Sequence, residues 1–339
     1  MKKFLLIFCL VFTLSIVGCV RSTEPEKITQ TIFVMDTFAS ITVFDNSDEA
    51  EAAIVRAFER LYEIEETFNY YDPDSELSWL NRMAFYEPVT MSEDMNVLAT
   101  LGVRYSEMTG GAFDVSIGKL IELWEREDTL SPSQKEIDEL LPYLGWNNIV
   151  FGVCQDGVST TIRFLNEHVQ LHFGAIAKGW AVDVIMWQLQ NDGVTSALID
   201  IGGEIGVLGD APRESGLWHV QINDPFGDLE FITYVKVKGG TRVATSGTYE
   251  RGEHILNPKT GYPADKGLVS VTVIGLSGNS ADAFSTAIFV FGAGEIRNII
   301  DRGGCVVTID EERRFADYHF DGCDCGDSVE FINRLDVVK

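Results

Sequence analysis

The stretch Asn279–Gly292 reads NSADAFSTAIFVFG. As a helix it is almost wholly apolar or small after its first turn, yet it carries Asp282. A carboxylate among Ala, Phe, Ile and Val is expensive to bury unless something cationic meets it. Positions three and four ahead share its helical face, and these are Ser285 and Thr286. Asp282 therefore projects beside the Thr286 hydroxyl, with the Ser285 carbonyl close by if the helix is locally distorted or hydroxyl-bonded. Such an all-oxygen cluster suits Mg²⁺ or Ca²⁺ rather than zinc. A plain capping role for Asp282 is the weaker reading, because Asn279 and Ser280 are better placed to cap.

The first residues stand apart from the fold. Lys2 and Lys3 precede an uncharged apolar run, Phe4 to Val17, that ends in Gly18-Cys19. This pattern reads as a secretory signal, too short for a stable membrane span. Its end resembles a bacterial lipobox, which implies that residues 1–18 are removed and that Cys19 carries lipid. Residues 19–28 then form a polar tether, and residues 29–339 the folded unit. An ordinary signal peptide cut nearby is the plainer alternative. Loss of the signal moves the net charge from −26 to −28, since it contains two Lys and no acidic residue. That balance repels nucleic acid, and it leaves membrane attachment to the lipid. Of six cysteines, Cys154, Cys305, Cys323 and Cys325 remain in the folded part. A disulfide is permitted in an exported chain, but spacing does not choose a pairing.

Ile32 to Phe44 reads as extended. Asp48 to about Phe68 has helical spacing, with Asp48 and Glu51 as a capping box. NYYDPDSELSWLN reads as a turn, Thr90 and Glu93 cap a second helix, and Ser131-Pro132 opens a third. A hairpin turns at Asp156-Gly157, and a helix runs from about Ala175 to Gln190. TSALIDIGGEIGVLG is strand-like with a glycine interruption. Strands follow around Trp218, at Phe231 to Val237 and at LVSVTVIG, and GCVVTID is the last before an acidic tail. Hairpins and helices without steady β-α-β alternation predict an α+β fold.

Phosphate-loop and dinucleotide signatures are absent, as are zinc-helix and nucleophile-elbow motifs. Two further stretches draw attention. In HFGAIAKGWAVD, Lys178 stands among small residues at a helix start, where an anion would satisfy both the Lys and the helix dipole. A solvated Lys is the bland alternative. In HILNPKTGYPA, His254 precedes rigid turns, a sensible place for a general base or phosphate ligand, or equally for a surface His.

Together these stretches resemble the ApbE family, the FAD:protein FMN transferases. MDTFASITVF, FNYYDPDSELSWLN, TGGAFDVSIGKLIELW, GAIAKGWAVD, ALIDIGGEIGVLG, VATSGTYER, HILNPKTGYPA and VTVIGLSGNSADAFSTAIFVFG occur in family order from about residue 30 to residue 310. The resemblance implies an ApbE-like, T-fold-like single compact unit with mixed antiparallel sheets and packed helices. It implies Mg²⁺ held by Asp282, Thr286, the Ser285 backbone and a main-chain oxygen at Ala175. It also implies FAD as substrate, with FMN moved to a Thr or Ser hydroxyl of an exported protein and AMP released.

Met35, Tyr71, Ala112, Phe113, Asp114, Lys178, His254 and Ile255 map by resemblance to the FAD site, with Tyr71 and Phe113 supplying ring contacts. Lys178 would stabilise phosphate oxygens. The acceptor proton would pass to His254 or to Asp282, a role the resemblance leaves open between them. Implied partners are flavin-carrying subunits of Rnf- or Nqr-type redox pumps, on the periplasmic side of a bacterial membrane. One position departs from the family pattern: an Asp is usual where this chain has His172, which puts the carboxylate's polar contact in doubt. Two other functions fit the same motifs, an FAD pyrophosphatase giving FMN and AMP and a non-catalytic FAD-binding lipoprotein.

Overall fold

The computed structural model describes residues 26–126, 131–153, 160–248, 254–275, 277–300 and 304–320. The signal, Cys19, Cys154, the Asp156-Gly157 turn, Cys323 and Cys325 lie outside the described residues.

Strands β1 (Ile28–Val34) and β2 (Thr37–Val43) form a hairpin in which Val34 pairs with Thr37. The two-residue turn is Met35-Asp36, and both residues are left-handed, with φ of 55° and 56°. This is the backbone that a tight hairpin turn requires, usually supplied by Asn or Gly. Glu65 holds the turn by accepting from the Met35 amide at 2.6 Å.

Helix α1 (Asp48–Phe68) has the expected bounds but a different cap. Ser47 is extended and accepts from the Ala50 amide at 3.2 Å, while Asp48 is already helical. In the first turn its charge favours the helix dipole instead. Ile54, Leu61 and Ile64 are fully buried along one face, each contributing about 1.5–3 kcal/mol.

The stretch read as a turn contains α2 (Glu76–Met83), which starts where Ser75 accepts from the Ser78 amide at 3.0 Å. Thr90 belongs to the short strand β3 (Val89–Thr90), so Ser92 caps α3 (Glu93–Met108) in its place. Helix α4 (Gly118–Glu125) was not foreseen and has no capping side chain. Helix α5 (Gln134–Leu140) opens at a Ser133/Glu136 capping box, two residues later than Ser131-Pro132 suggested. Strands β4 (Ile149–Val153) and β5 (Thr160–Phe164) pair as the expected hairpin, with β3 alongside β5.

The remaining elements are α6 (Ala177–Asn191), β6 (Ala197–Ile201), β7 (Glu204–Leu208), β8 (Trp218–Asn223), β9 (Phe231–Val237), β10 (Arg242–Gly247), β11 (Leu268–Ile274), α7 (Gly278–Phe291), α8 (Ile296–Ile299), β12 (Cys305–Asp310) and β13 (Phe315–His319). The glycine interruption is the β6–β7 hairpin turn, Gly202-Gly203, with φ of 59° and 88°. Strand β13 follows the one expected to be last and pairs with it.

Eight strands form one antiparallel sheet in the order β1-β2-β6-β7-β10-β11-β12-β13. Helices α1, α6 and α7 cover one face, with Ile41, Ile199, Val271 and Val306 turned into that core. The β8–β9 hairpin covers part of the other face, where Trp218, Val220 and Val235 meet Val207, Val243 and Val307. The central strands are thus buried on both faces, which explains their continuous apolar runs. The α+β expectation holds, and there is one main sheet rather than alternating β-α-β units.

Candidate active site

Helices α6 and α7 meet backbone to backbone. A β-carbon on Gly179 would stand 2.1 Å from the Gly278 carbonyl oxygen, and one on Gly278 would stand 2.1 Å from the Gly179 oxygen. Only glycine at both places permits that approach. Asp183, one turn further along α6, supplies the cap that α7 lacks in its own sequence. Its carboxylate accepts from the Gly278 and Asn279 amides at 3.0 Å each and from Asn279 Nδ2 at 2.7 Å. Arg242 of β10 donates to the same carboxylate at 2.8 Å. Ser277 is the N-cap residue by backbone, and Asn279 and Ser280 lie inside the first turn, so neither caps as expected.

This crossing decides the surroundings of Asp282. The residue is buried, at 4% exposure, and its carboxylate accepts from the Gly179 amide at 3.0 Å. Asp282 has no ion pair within 4 Å among the described residues. Burial pushes its carboxyl above the usual range, while the Lys178 charge and the Gly179 hydrogen bond pull it down. The Lys178 ammonium is itself bonded to Glu204 of β7 at 3.0 Å. Asp200, at the end of β6, also feels Lys178. Burial raises its carboxyl, opposed by the Gly203 amide and by that charge.

Beyond Asp282 on α7, Ser285 and Thr286 face β10. Ser246 Oγ lies 2.7 Å from Ser285 Oγ and 3.1 Å from Thr286 Oγ1. Ser285 Oγ also donates back to the Asp282 carbonyl at 2.8 Å. Hydroxyl bonding of this kind was foreseen, but it engages the Asp282 carbonyl and leaves the Ser285 carbonyl without that contact. Asp282, Ser285 and Thr286 thus offer oxygen donors from adjacent turns of one helix, and among the described residues the buried Asp282 carboxylate accepts one hydrogen bond, from the Gly179 amide. That set fits a hard divalent cation such as Mg²⁺.

The Gly174-Ala175-Ile176 turn leads into α6. Phe173 C=O accepts from the Ile176 and Ala177 amides at 3.0 and 2.8 Å. His172 is half-buried, edge-to-face with Tyr70 at 4.9 Å, and its Nδ1 accepts from the Gly174 amide at 3.2 Å. Burial lowers the His172 pKa to about 4, so the ring is neutral at pH 7.

The other expected residues are spread around this centre. Met35 sits in the strained β1–β2 turn. Tyr71 is exposed, and its hydroxyl donates to Glu125 at 2.8 Å. Ala112 and Phe113 are buried in the main core, at 1% and 3% exposure. Asp114 is buried and accepts from the Ser116 amide and hydroxyl at 2.9 and 2.7 Å, and burial raises its carboxyl. His254 is exposed, next to buried Ile255. The loop after it is held by Asn257 N donating to Tyr262 C=O at 2.7 Å and by Trp124 Nε1 donating to Gly261 C=O at 2.8 Å.

Sequence reading gave no role to Glu204, Asp183 or Ser246. Glu204 carried a signal, a charge at an inward position of an apolar strand. Asp183 and Ser246 carried none, because their partners lie 95 and 39 residues away.

Comparison with known proteins follows this geometry. FAD:protein FMN transferase of Vibrio cholerae is 31% identical over 244 residues, 68% of this chain and 71% of that protein. The enzyme of the same name from Treponema pallidum is 30% identical over 296 residues, 81% of this chain and 82% of that protein. The solved ApbE protein of Thermotoga maritima superposes with a TM-score of 0.76 at 28% identity, covering 86% of this chain and 96% of that one. Flavin transferase ApbE from V. cholerae superposes at 0.74 with 25% identity, covering 87% and 97%. The family model described as the ApbE family matches residues 35–309, and the chain belongs to that family.

Proposed function

We propose that this chain is an FAD:protein FMN transferase that uses Mg²⁺ to move FMN from FAD to a Thr or Ser hydroxyl of an exported protein. Relatives across most of its length carry that enzyme name. The observation that carries the metal-dependent form is Asp282, a buried carboxylate that among the described residues has one amide hydrogen bond and no ion pair. Asp282, Thr286 and main-chain oxygens of Ser285 and Ala175 would hold the ion. Bound there, Mg²⁺ supplies charge neutralisation for a pyrophosphate.

The protein groups divide the remaining work. The acceptor oxygen forms a bond to the phosphorus of the FMN half, and the bond from that phosphorus to the AMP oxygen breaks. The acceptor proton passes to a base, His254 or Asp282, and AMP leaves. Lys178, aimed by its bond to Glu204, stabilises phosphate oxygens as charge moves onto the leaving group. The Met35–Asp36 turn, Tyr71, the Ala112–Asp114 segment and Ile255 contact the FAD. The chain is anchored through lipid on Cys19 at the periplasmic side of a bacterial membrane. Its acceptors there are subunits of Rnf- or Nqr-type redox pumps.

The test uses the purified mature protein with FAD and Mg²⁺, with and without a Thr-containing acceptor domain. AMP release and acceptor mass are followed together. An FMN-sized gain on the acceptor, abolished by EDTA, is expected. AMP and free FMN with no acceptor gain would make the chain a pyrophosphatase, and bound but unchanged FAD would make it a binding protein.

A further inference from the structure

In this chain, Asn or Asp side chains repeatedly hold the amide two residues ahead. Asn69 Oδ1 accepts from Tyr71 N at 3.0 Å, Asp114 Oδ1 from Ser116 N at 2.9 Å, Asn166 Oδ1 from His168 N at 2.9 Å, and Asp224 Oδ1 from Phe226 N at 3.0 Å. These contacts close Asx turns. His172 makes the same contact with an imidazole, since the Gly174 amide donates to its Nδ1 at 3.2 Å. A nitrogen that accepts carries no proton, so the neutral ring is protonated on Nε2.

Packing leaves the ring little choice of place. Tyr70 meets it edge-to-face at 4.9 Å, and the Tyr70 hydroxyl is anchored to Glu122 at 2.8 Å and to Gln170. A β-carbon on Gly174 would lie 2.6 Å from His172 Cε1, so the glycine and the imidazole fit as a pair. The His172 amide donates to Val115 C=O at 2.8 Å, which ties the turn to the segment after Asp114. The residue after Gly174 is Ala175, and α6 with Lys178 and Gly179 begins two residues later.

We propose that His172 is a positioning residue whose Nδ1 closes an Asx-like turn and thereby fixes the main-chain oxygen of Ala175 in the site. The proposal rests on the assignment of that oxygen to the metal. An imidazole performs this task without adding negative charge to a region that already holds Asp200, Glu204 and Asp282 around one Lys178.

The test begins on the mature protein without metal or flavin. Long-range ¹⁵N–¹H spectra at pH 7, with His172 assigned through His172→Asn, should show the Nε2-protonated tautomer with an accepting Nδ1. Hydrogen exchange at the Gly174 amide should quicken by about 5–10-fold in His172→Ala, the worth of one hydrogen bond. His172→Asn, which offers an amide oxygen, should keep protection within about 2-fold of wild type. With FAD and the Thr-containing acceptor domain, the Mg²⁺ concentration for half-maximal AMP release should rise by about 5–10-fold in His172→Ala and return with Asn. A proton on Nδ1, unchanged Gly174 exchange in His172→Ala, or no rescue by Asn overturns the proposal. A wild-type protein that releases no AMP in the presence of FAD, Mg²⁺ and the acceptor domain refutes the transferase reading, while tautomer and exchange still decide the role of His172.

Discussion

Asp183 and Asn279 are joined twice through one carboxylate oxygen, which accepts from the Asn279 amide at 3.0 Å and from its side chain at 2.7 Å. Helix α7 is therefore capped by a residue of another helix. Asp183→Ala removes this cap, the Gly278 bond and the Arg242 bond together. It should cost about 2–4 kcal/mol, read from urea unfolding, and turnover should fall with it. Asn279→Ala should cost only about 1 kcal/mol.

Asp282→Ala should abolish Mg²⁺-dependent turnover while leaving the fold intact. It removes a buried carboxylate whose desolvation is opposed, among the described residues, by one amide hydrogen bond and the nearby Lys178 charge. Calorimetric Mg²⁺ titration together with circular dichroism checks both halves. Wild-type turnover in this variant would end the metal assignment.

The sequence made α1 and α7 legible because their signals are local, whereas the Gly202-Gly203 hairpin turn between β6 and β7 reads in sequence only as a glycine interruption in a strand-like stretch. Periodicity marked a helix from Asp48 to about Phe68, and the all-apolar run around Asp282 marked a buried helix. Caps were read less well. Ser47, Ser92 and Ser133 each did what Asp48, Thr90 and Ser131 were expected to do, because several capping residues stood in a row and only the extended backbone chooses among them. Asp183 at the start of α7 was invisible for a different reason: it reaches an amide 95 positions away. Helix α4, with no cap and only eight residues, left no start signal.

Lys178 and Glu204 separate stability from activity. Their 3.0 Å pair is nearly dry on the Glu204 side, at 3% side-chain exposure. Lys178→Met should cost about 3 kcal/mol by leaving a buried carboxylate without that ion pair. Adding Glu204→Leu should recover most of the loss in thermal melts. Activity should stay absent in both variants, since neither offers the ammonium.

His172 makes stability pH-dependent with a defined sign. Its folded pKa is lowered to about 4 by burial, from an ordinary 6.5. The unfolded chain therefore binds more protons between those values, and stability falls as pH drops through that window. Denaturant titrations should lose about 3 kcal/mol from this group between pH 7 and pH 4. His172→Asn should flatten that slope.

Cys19→Ser should leave activity unchanged and move the protein from the membrane fraction to the soluble one. Cell fractionation with activity assays in both fractions checks this, and membrane retention would count against lipid at Cys19.

The contact of Gly179 with Gly278 sets the spacing between helices α6 and α7 at the site by main-chain atoms alone. Only the Asp282 side chain stands between that crossing and the α6 amide it binds. Apart from Asp183, Asn279 and Asp282, the crossing asks of its surroundings only that the two glycines stay. A ruler built from backbone can be inherited while most of the sequence that surrounds it is rewritten.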